Sequence, residues 1–250
     1  MTHPPRRNCD MLLASTLMSG ITRRQALGAL SAAALYGKEV PADHFATGVK
    51  VGELTPSSAV IWARRTQSAK RNDSGIVRKG GGKDAKFLEP GADIASLEGA
   101  AMGGNGYTRL MVEAVSGREK KRILPWVDLD PAADFTHQFI LQDLTPATHY
   151  KFAVETSAAK GKSPDGLLTG SFRTAPRETD RVAVEFALSS CQKYSQQDRP
   201  DGFWIYDALE KAKPAFLVSC GDNVYYDSDD PVATTEAIAR YHWDRMFSLP

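Results

Sequence analysis

The hydrophobic period changes once along this chain, near residue 180, and that change limits the folds open to it. Before it, apolar residues alternate in short runs over residues 47–53, 59–64 and 107–115, and again on either side of Asp143-Leu144-Thr145-Pro146. A period of two sends successive side chains to opposite faces, the pattern of half-buried strands. After it, residues 182–190 (VAVEFALSS) form an apolar run, residues 202–213 carry Phe203, Ile205, Tyr206, Ala208 and Leu209 at helical spacing, and residues 215–219 (AFLVS) are apolar again. Strand, helix, strand in that order is a right-handed parallel unit. The polar connector 175–180, with Pro176, separates the two patterns.

Composition narrows the partners. The 250 residues are 42% hydrophobic with a net charge of +1, so no overall field draws the chain to nucleic acid or anionic lipid. The longest interrupted apolar stretch, residues 26–36, is too short to cross a bilayer. Cys9, Cys191 and Cys220 allow at most one intrachain disulfide, and no CxxC pair suggests a zinc site.

Residues 1–43 read as a leader. A basic, acid-poor start leads to Thr22-Arg23-Arg24-Gln25-Ala26-Leu27 and then to GALSAAALY. This resembles a twin-arginine signal, with Ala26 where Phe is usual. Met11–Met18 after Arg6-Arg7 is an alternative apolar core, and cleavage is expected after Ala42. The resemblance implies export to the periplasm or the extracellular space by a route that carries proteins already folded around a cofactor.

Residues 44–176 are expected to form the first folded unit. Nine of the 20 glycines lie between residues 75 and 106, which reads as a long surface excursion. Its GGGK, residues 80–83, lacks the rest of a phosphate-binding loop and reads as flexible. Residues 135–156 are more informative: two alternating strands flank Asp143–Pro146 and lead into Tyr150. This resembles the Leu-x-Pro-x-Thr-x-Tyr corner of fibronectin type III and immunoglobulin-like sandwiches, in which Leu144 would plug one end and the Tyr150 hydroxyl would bond backbone across the corner. Trp62 is a candidate core residue, and residues 170–174 a closing strand. The alternative for these aromatics is an exposed carbohydrate-binding face.

In the second unit, residues 180–250, both predicted strands end in chemistry. One runs into Ser189-Ser190-Cys191-Gln192 and the other into Cys220-Gly221-Asp222-Asn223-Val224-Tyr225. Ligands in open α/β sheets gather at strand carboxyl ends, so Cys191, Asp222 and Tyr225 are expected on one rim. Thiolate, carboxylate and phenolate together suit a trivalent ion better than Zn2+. The bland readings are a Cys191–Cys220 disulfide or a buried small Cys191, a helix-capping Asp222 and a core Tyr225. Asp227-Ser228-Asp229-Asp230 lacks EF-hand spacing and reads as a solvated turn.

These residues resemble the PhoD-like alkaline phosphatases and phosphodiesterases of the calcineurin-like metallophosphatase superfamily, in which an immunoglobulin-like domain precedes strands ending Ser-Cys-Gln and Gly-Asp-x-x-Tyr. The resemblance implies a β-sandwich followed by the start of an α/β metallophosphatase domain. It makes Cys191, Asp222 and Tyr225 ligands of Fe3+, with Asp222 also reaching Ca2+, and it assigns no catalytic residue. It also implies a phosphoester substrate, metal-assisted hydrolysis, and further Asn, Asp and His ligands that have no counterpart before Pro250. The amphipathic stretch 234–247 would begin the next crossover. This length of chain is therefore expected to be an incomplete enzyme, inactive alone and with apolar surface open to water. The rival reading is a cell-surface binding module with a non-catalytic remnant. Substrate identity and oligomeric state are not legible.

Overall fold

The computed structural model describes residues 43–78, 83, 86–117 and 119–249. All of the leader but Asp43, and most of GGGK, lie outside these residues.

Among the described residues, ten strands form three sheets. β1 (Val49–Gly52), β2 (Ala59–Arg64) and β6 (Thr136–Leu141) make an antiparallel sheet in the order β1-β2-β6. β3 (Tyr107–Ala114), β4 (Arg122–Ile123), β5 (Val127–Asp128), β7 (His149–Ser157) and β8 (Gly166–Arg173) make a second. There β3 pairs β7 across its whole length, from Tyr107 opposite Ser157 to Ala114 opposite Tyr150. The two sheets enclose one core. Ala59, Ile61, Ala63, Phe139 and Leu141 from the first face Leu110, Val112, Tyr150, Phe152, Val154 and Phe172 from the second. Full burial of one such aliphatic side chain is worth about 1.5–3 kcal/mol.

Strand alternation corrects one expectation. The inward set of β2 is Ala59, Ile61 and Ala63, which puts Trp62 on the outer face, half-buried, with the Lys50 ammonium 4.5 Å from its ring centre. Trp62 is thus outside the sandwich core. The corner forms as expected: Leu144 is buried, the Thr145 backbone N–H donates to the Tyr150 hydroxyl at 2.8 Å, and that hydroxyl donates to Glu119 at 2.7 Å.

The glycine-rich stretch is less of a surface excursion than its sequence suggests. Residues 94–96 form a 3-10 turn capped by the Asp93 carboxylate, and Leu97, Ala100 and Ala101 are buried. Its glycines serve close packing, since a Cβ on Gly103 would lie 2.1 Å from the Phe135 ring. The cover is α2 (Glu236–Phe247), whose N-cap Thr235 accepts the Ile238 backbone N–H. Its buried residues Ile238, Tyr241, His242, Arg245 and Met246 keep the i, i+3, i+4 spacing of one helical stripe. That stripe lies against the sandwich side, with Tyr241 packed on Leu97 and Ala100 and donating to the Glu98 carbonyl at 2.7 Å. The helix expected to continue the α/β unit instead docks on the first unit.

β9 (Ala187–Ser189) and β10 (Leu217–Ser219) are parallel, joined through α1 (Trp204–Ala212). β9 is shorter than the apolar run suggests, because its partner offers three paired residues. Val182, Val184, Phe186, Leu188, Phe216 and Leu217 are all exposed, Leu188 by 64%.

Candidate metal centre

The parallel ladder carries the two strand ends to one rim. Ser219 pairs with Ser189, and beyond the strands Cys220 N donates to the Ser189 carbonyl at 2.7 Å and Gln192 N to the Asp222 carbonyl at 3.0 Å. Pairing therefore continues one step past each strand and brings Cys191 beside Asp222.

Both residues turn the chain in left-handed backbone, with φ of 60° at Cys191 and 52° at Asp222. Gly221 between Cys220 and Asp222 has φ 98°, which favours glycine. Side-chain-bearing residues held at positive φ are strained by about 1–3 kcal/mol and cluster at functional sites. Here the two left-handed turns leave the Cys191 and Asp222 side chains 3.5 Å apart.

Cys191 Sγ donates to Asp222 Oδ2 at 3.5 Å and the Tyr225 hydroxyl donates to the same oxygen at 3.0 Å. Partial desolvation, then the hydrogen bond to Asp222, push the Tyr225 phenol above its ordinary range. Among the described residues no cationic side chain pairs with Asp222. Both donors use Oδ2, so Oδ1 is left for another partner. Cys191 and Cys220 are both free and exposed, so the disulfide alternative does not form. Asp222 caps no helix, and Tyr225 is half-buried at the rim. A thiol and a phenol thus converge on one carboxylate oxygen, with Lys193 Nζ 5.3 Å from the centre of the Tyr225 ring, and the three side chains together offer sulfur and oxygen ligands of the kind a metal ion takes. Among the described residues no three or more His, Cys, Asp and Glu are grouped so that they could hold a metal ion, so Tyr225 has to be counted to complete a trio.

The acidic turn is the second correction. Asp229 and Asp230 are 1% and 6% exposed, not solvated. Asp229 accepts the Tyr194 and Ser195 backbone N–H groups at 3.1 and 3.3 Å, while Asp230 accepts Arg78 Nε at 2.6 Å and its carbonyl accepts Arg245 Nη1 at 2.8 Å. Sequence reading also missed Tyr194, whose hydroxyl donates to Glu98 at 2.9 Å and accepts from Arg71. Arg245 lies 4.0 Å above the Tyr194 ring. The one signal available was an aromatic residue three positions after Cys191 in an otherwise polar loop.

A crevice of about 800 Å3 lies elsewhere, between the sandwich and α2, lined by Arg64, Asp134, Phe135, Arg240, Tyr241 and Asp244 among others. Its charges are already paired with one another, Arg64 with Asp134 and Asp244 and Arg240 with Glu236, so it is a seam between units.

The family described as PhoD-like phosphatase, N-terminal domain, matches residues 30–176. Among solved structures the chain is similar to that of PhoD, at 17% identity and a TM-score of 0.55, over 85% of this chain and 36% of that one. The chain thus spans about a third of PhoD's length, and since residues up to 176 are about seven-tenths of this chain, the shared fold runs on past the sandwich. It is also similar to a two-domain fibronectin type III segment of chicken tenascin, at 15% identity and a TM-score of 0.29 over 51% of this chain and 47% of that one. The fibronectin domain of human collagen alpha-1(XX) chain gives 12% identity and a TM-score of 0.28 over 68% and 96%. No curated protein matches.

Proposed function

The chain belongs to the PhoD-like phosphatase family, and from that premise we propose that it is part of an exported, metal-dependent phosphoester hydrolase acting on phosphodiesters or phosphomonoesters. The observation that carries the reading is the meeting of the Cys191 thiol and the Tyr225 phenol on Asp222 Oδ2 at the carboxyl ends of two parallel strands. An anionic set with two hard oxygen donors, carboxylate and phenolate, beside one softer thiolate suits Fe3+, and the second oxygen of Asp222 suits Ca2+ alongside it. Bound there, the ions would supply Lewis-acid stabilisation of charge developing on a phosphoryl group.

The chain's own part is to present the donors. Cys191 and Tyr225 each give up a proton when they ligate, so uptake releases protons and strengthens as pH rises. The left-handed turns at Cys191 and Asp222 fix the separation before any ion arrives. The exposed faces of β9 and β10 accord with a larger parallel sheet, because strands this apolar are ordinarily covered on both sides. The twin-arginine-like pair Arg23-Arg24 supports export of a protein that folds around its metal first.

The test is made on protein purified from its own host, with metal content and hydrolysis of bis(p-nitrophenyl) phosphate and p-nitrophenyl phosphate measured together. Iron and calcium should be present, and both content and turnover should fall in Cys191→Ala and Asp222→Asn. Unchanged metal and turnover in both variants, or a native protein with neither, would overturn the reading and leave a sandwich that only binds.

A further inference from the structure

Resting on the site just proposed, we infer that Asp229 and Tyr194 are positioning residues, which lock the two ligand loops to each other and to the sandwich so that Cys191, Asp222 and Tyr225 keep their spacing. The loop after β9 carries Cys191 and then turns through a 3-10 segment, Tyr194–Gln196, whose own N-cap side chain, Lys193, makes no capping bond. The exposed N–H groups at the start of that turn are taken by Asp229, which belongs to the loop after β10. Asp229 N in turn donates to the Tyr225 carbonyl at 3.2 Å. One buried carboxylate therefore joins the segment of Cys191 to the segment of Tyr225. Lys193 adds a second tie, donating to Ser228 at 3.1 Å.

Tyr194 fixes the joined loops from the other side. Its hydroxyl bridges Glu98 and Arg71, both from the sandwich unit, and its ring is stacked by Arg245 of α2. Arg71 also donates to the Arg245 carbonyl at 3.1 Å. The 94–101 segment that packs under α2 thus reaches the proposed metal rim through Glu98 and Tyr194, although neither contacts the trio. Groups bonded directly to metal ligands are worth about 10- to 100-fold in metal affinity, and Asp229 and Tyr194, one step further out, correspond to the lower end of that range.

The test titrates the full chain with Fe3+ supplied as its nitrilotriacetate complex, following phenolate-to-iron absorption and, in parallel, amide hydrogen exchange over residues 191–196. Asp229→Asn keeps the shape but weakens the acceptor. Tyr194→Phe keeps the ring under Arg245 and removes only the hydroxyl. Each should weaken iron binding about tenfold or more, shift the absorption band and speed exchange at 194 and 195, with the sandwich still folded by near-ultraviolet circular dichroism. Native-strength iron binding with an unshifted band in Tyr194→Phe overturns the positioning role while leaving the metal centre standing. A native chain that takes up no iron overturns the metal centre, and this inference with it.

Discussion

Arg64 Nη2 lies 2.9 Å from Asp244 Oδ2, joining β2 of the sandwich to α2 across the seam between the two units. The guanidinium is 2% exposed and is met on its other side by Asp134 at 2.9 Å and by the Ala101 carbonyl at 2.7 Å. Groups from three other segments of chain, Ala101, Asp134 and Asp244, therefore converge on one buried cation.

Truncating that cation is expected to be costly. Arg64→Ala should destabilise the chain by about 3 kcal/mol, because it leaves the partly buried Asp134 and Asp244 without the guanidinium that both bond. Replacing the pair together, Arg64→Met with Asp244→Leu, should recover much of the loss. Urea denaturation of the three proteins checks this, and a double variant no better than Arg64→Ala would show that the pair itself is not the source.

The same seam sets a pH dependence. Burial holds the Asp244 carboxyl up at about 7 against the pull of Arg64, and holds the Lys50 ammonium down at about 8 against the pull of Asp244. Between pH 3.8 and about 7 the folded chain keeps a proton on Asp244 that the unfolded chain has released, so stability falls as pH rises. Between about 8 and 10.5 the unfolded chain keeps a proton on Lys50 that the folded chain has lost, so stability rises with pH. The seam contributes least between about pH 7 and 8. His242, lowered by burial and by Arg245, gives the opposite slope below pH 6.5, so the comparison is made against Asp244→Asn. The difference in melting temperature between native and variant should change between pH 5 and 7.5; a constant difference would refute the assignment.

At the corner, Tyr150→Phe removes the acceptor of the Thr145 N–H and the donor to Glu119, at a cost of about 1–2 kcal/mol. Burial works to raise the Glu119 carboxyl, but hydrogen bonds from Thr145 and Tyr150 hold it below its ordinary range, so the variant should also move its titration upward. Leu144→Ala, which opens a cavity at the sandwich end, should cost more, about 2–5 kcal/mol. Equal losses in the two variants, by chemical denaturation, would contradict this ordering.

The strands of the sandwich were legible because alternation is a local property: Ala59–Arg64 shows period two whatever surrounds it. Which of its two faces turns inward was not, and Trp62, the larger and more apolar side chain, ended on the outside. Small residues, Ala59 and Ala63, occupy the inward face because the opposite sheet supplies the bulk there through Phe152 and Phe172. The glycine-rich stretch failed for a related reason. Gly99 and Gly103 carry no periodicity of their own, yet each makes room for a neighbour, Arg245 and Phe135, that lies far along the chain.

The sequence by itself determined the change of architecture near residue 180 and the delivery of Cys191, Asp222 and Tyr225 to neighbouring strand ends, since both follow from runs of residues read in order. Only the tertiary structure decided where α2 docks, why Asp229 is buried, and how Glu98 and Tyr194 reach the rim. An apolar stripe states that a helix must be covered, and an acidic residue states that it must be solvated or paired. Neither states by what, because the partner is chosen by packing between segments far apart along the chain, as Arg64 and Asp244 are.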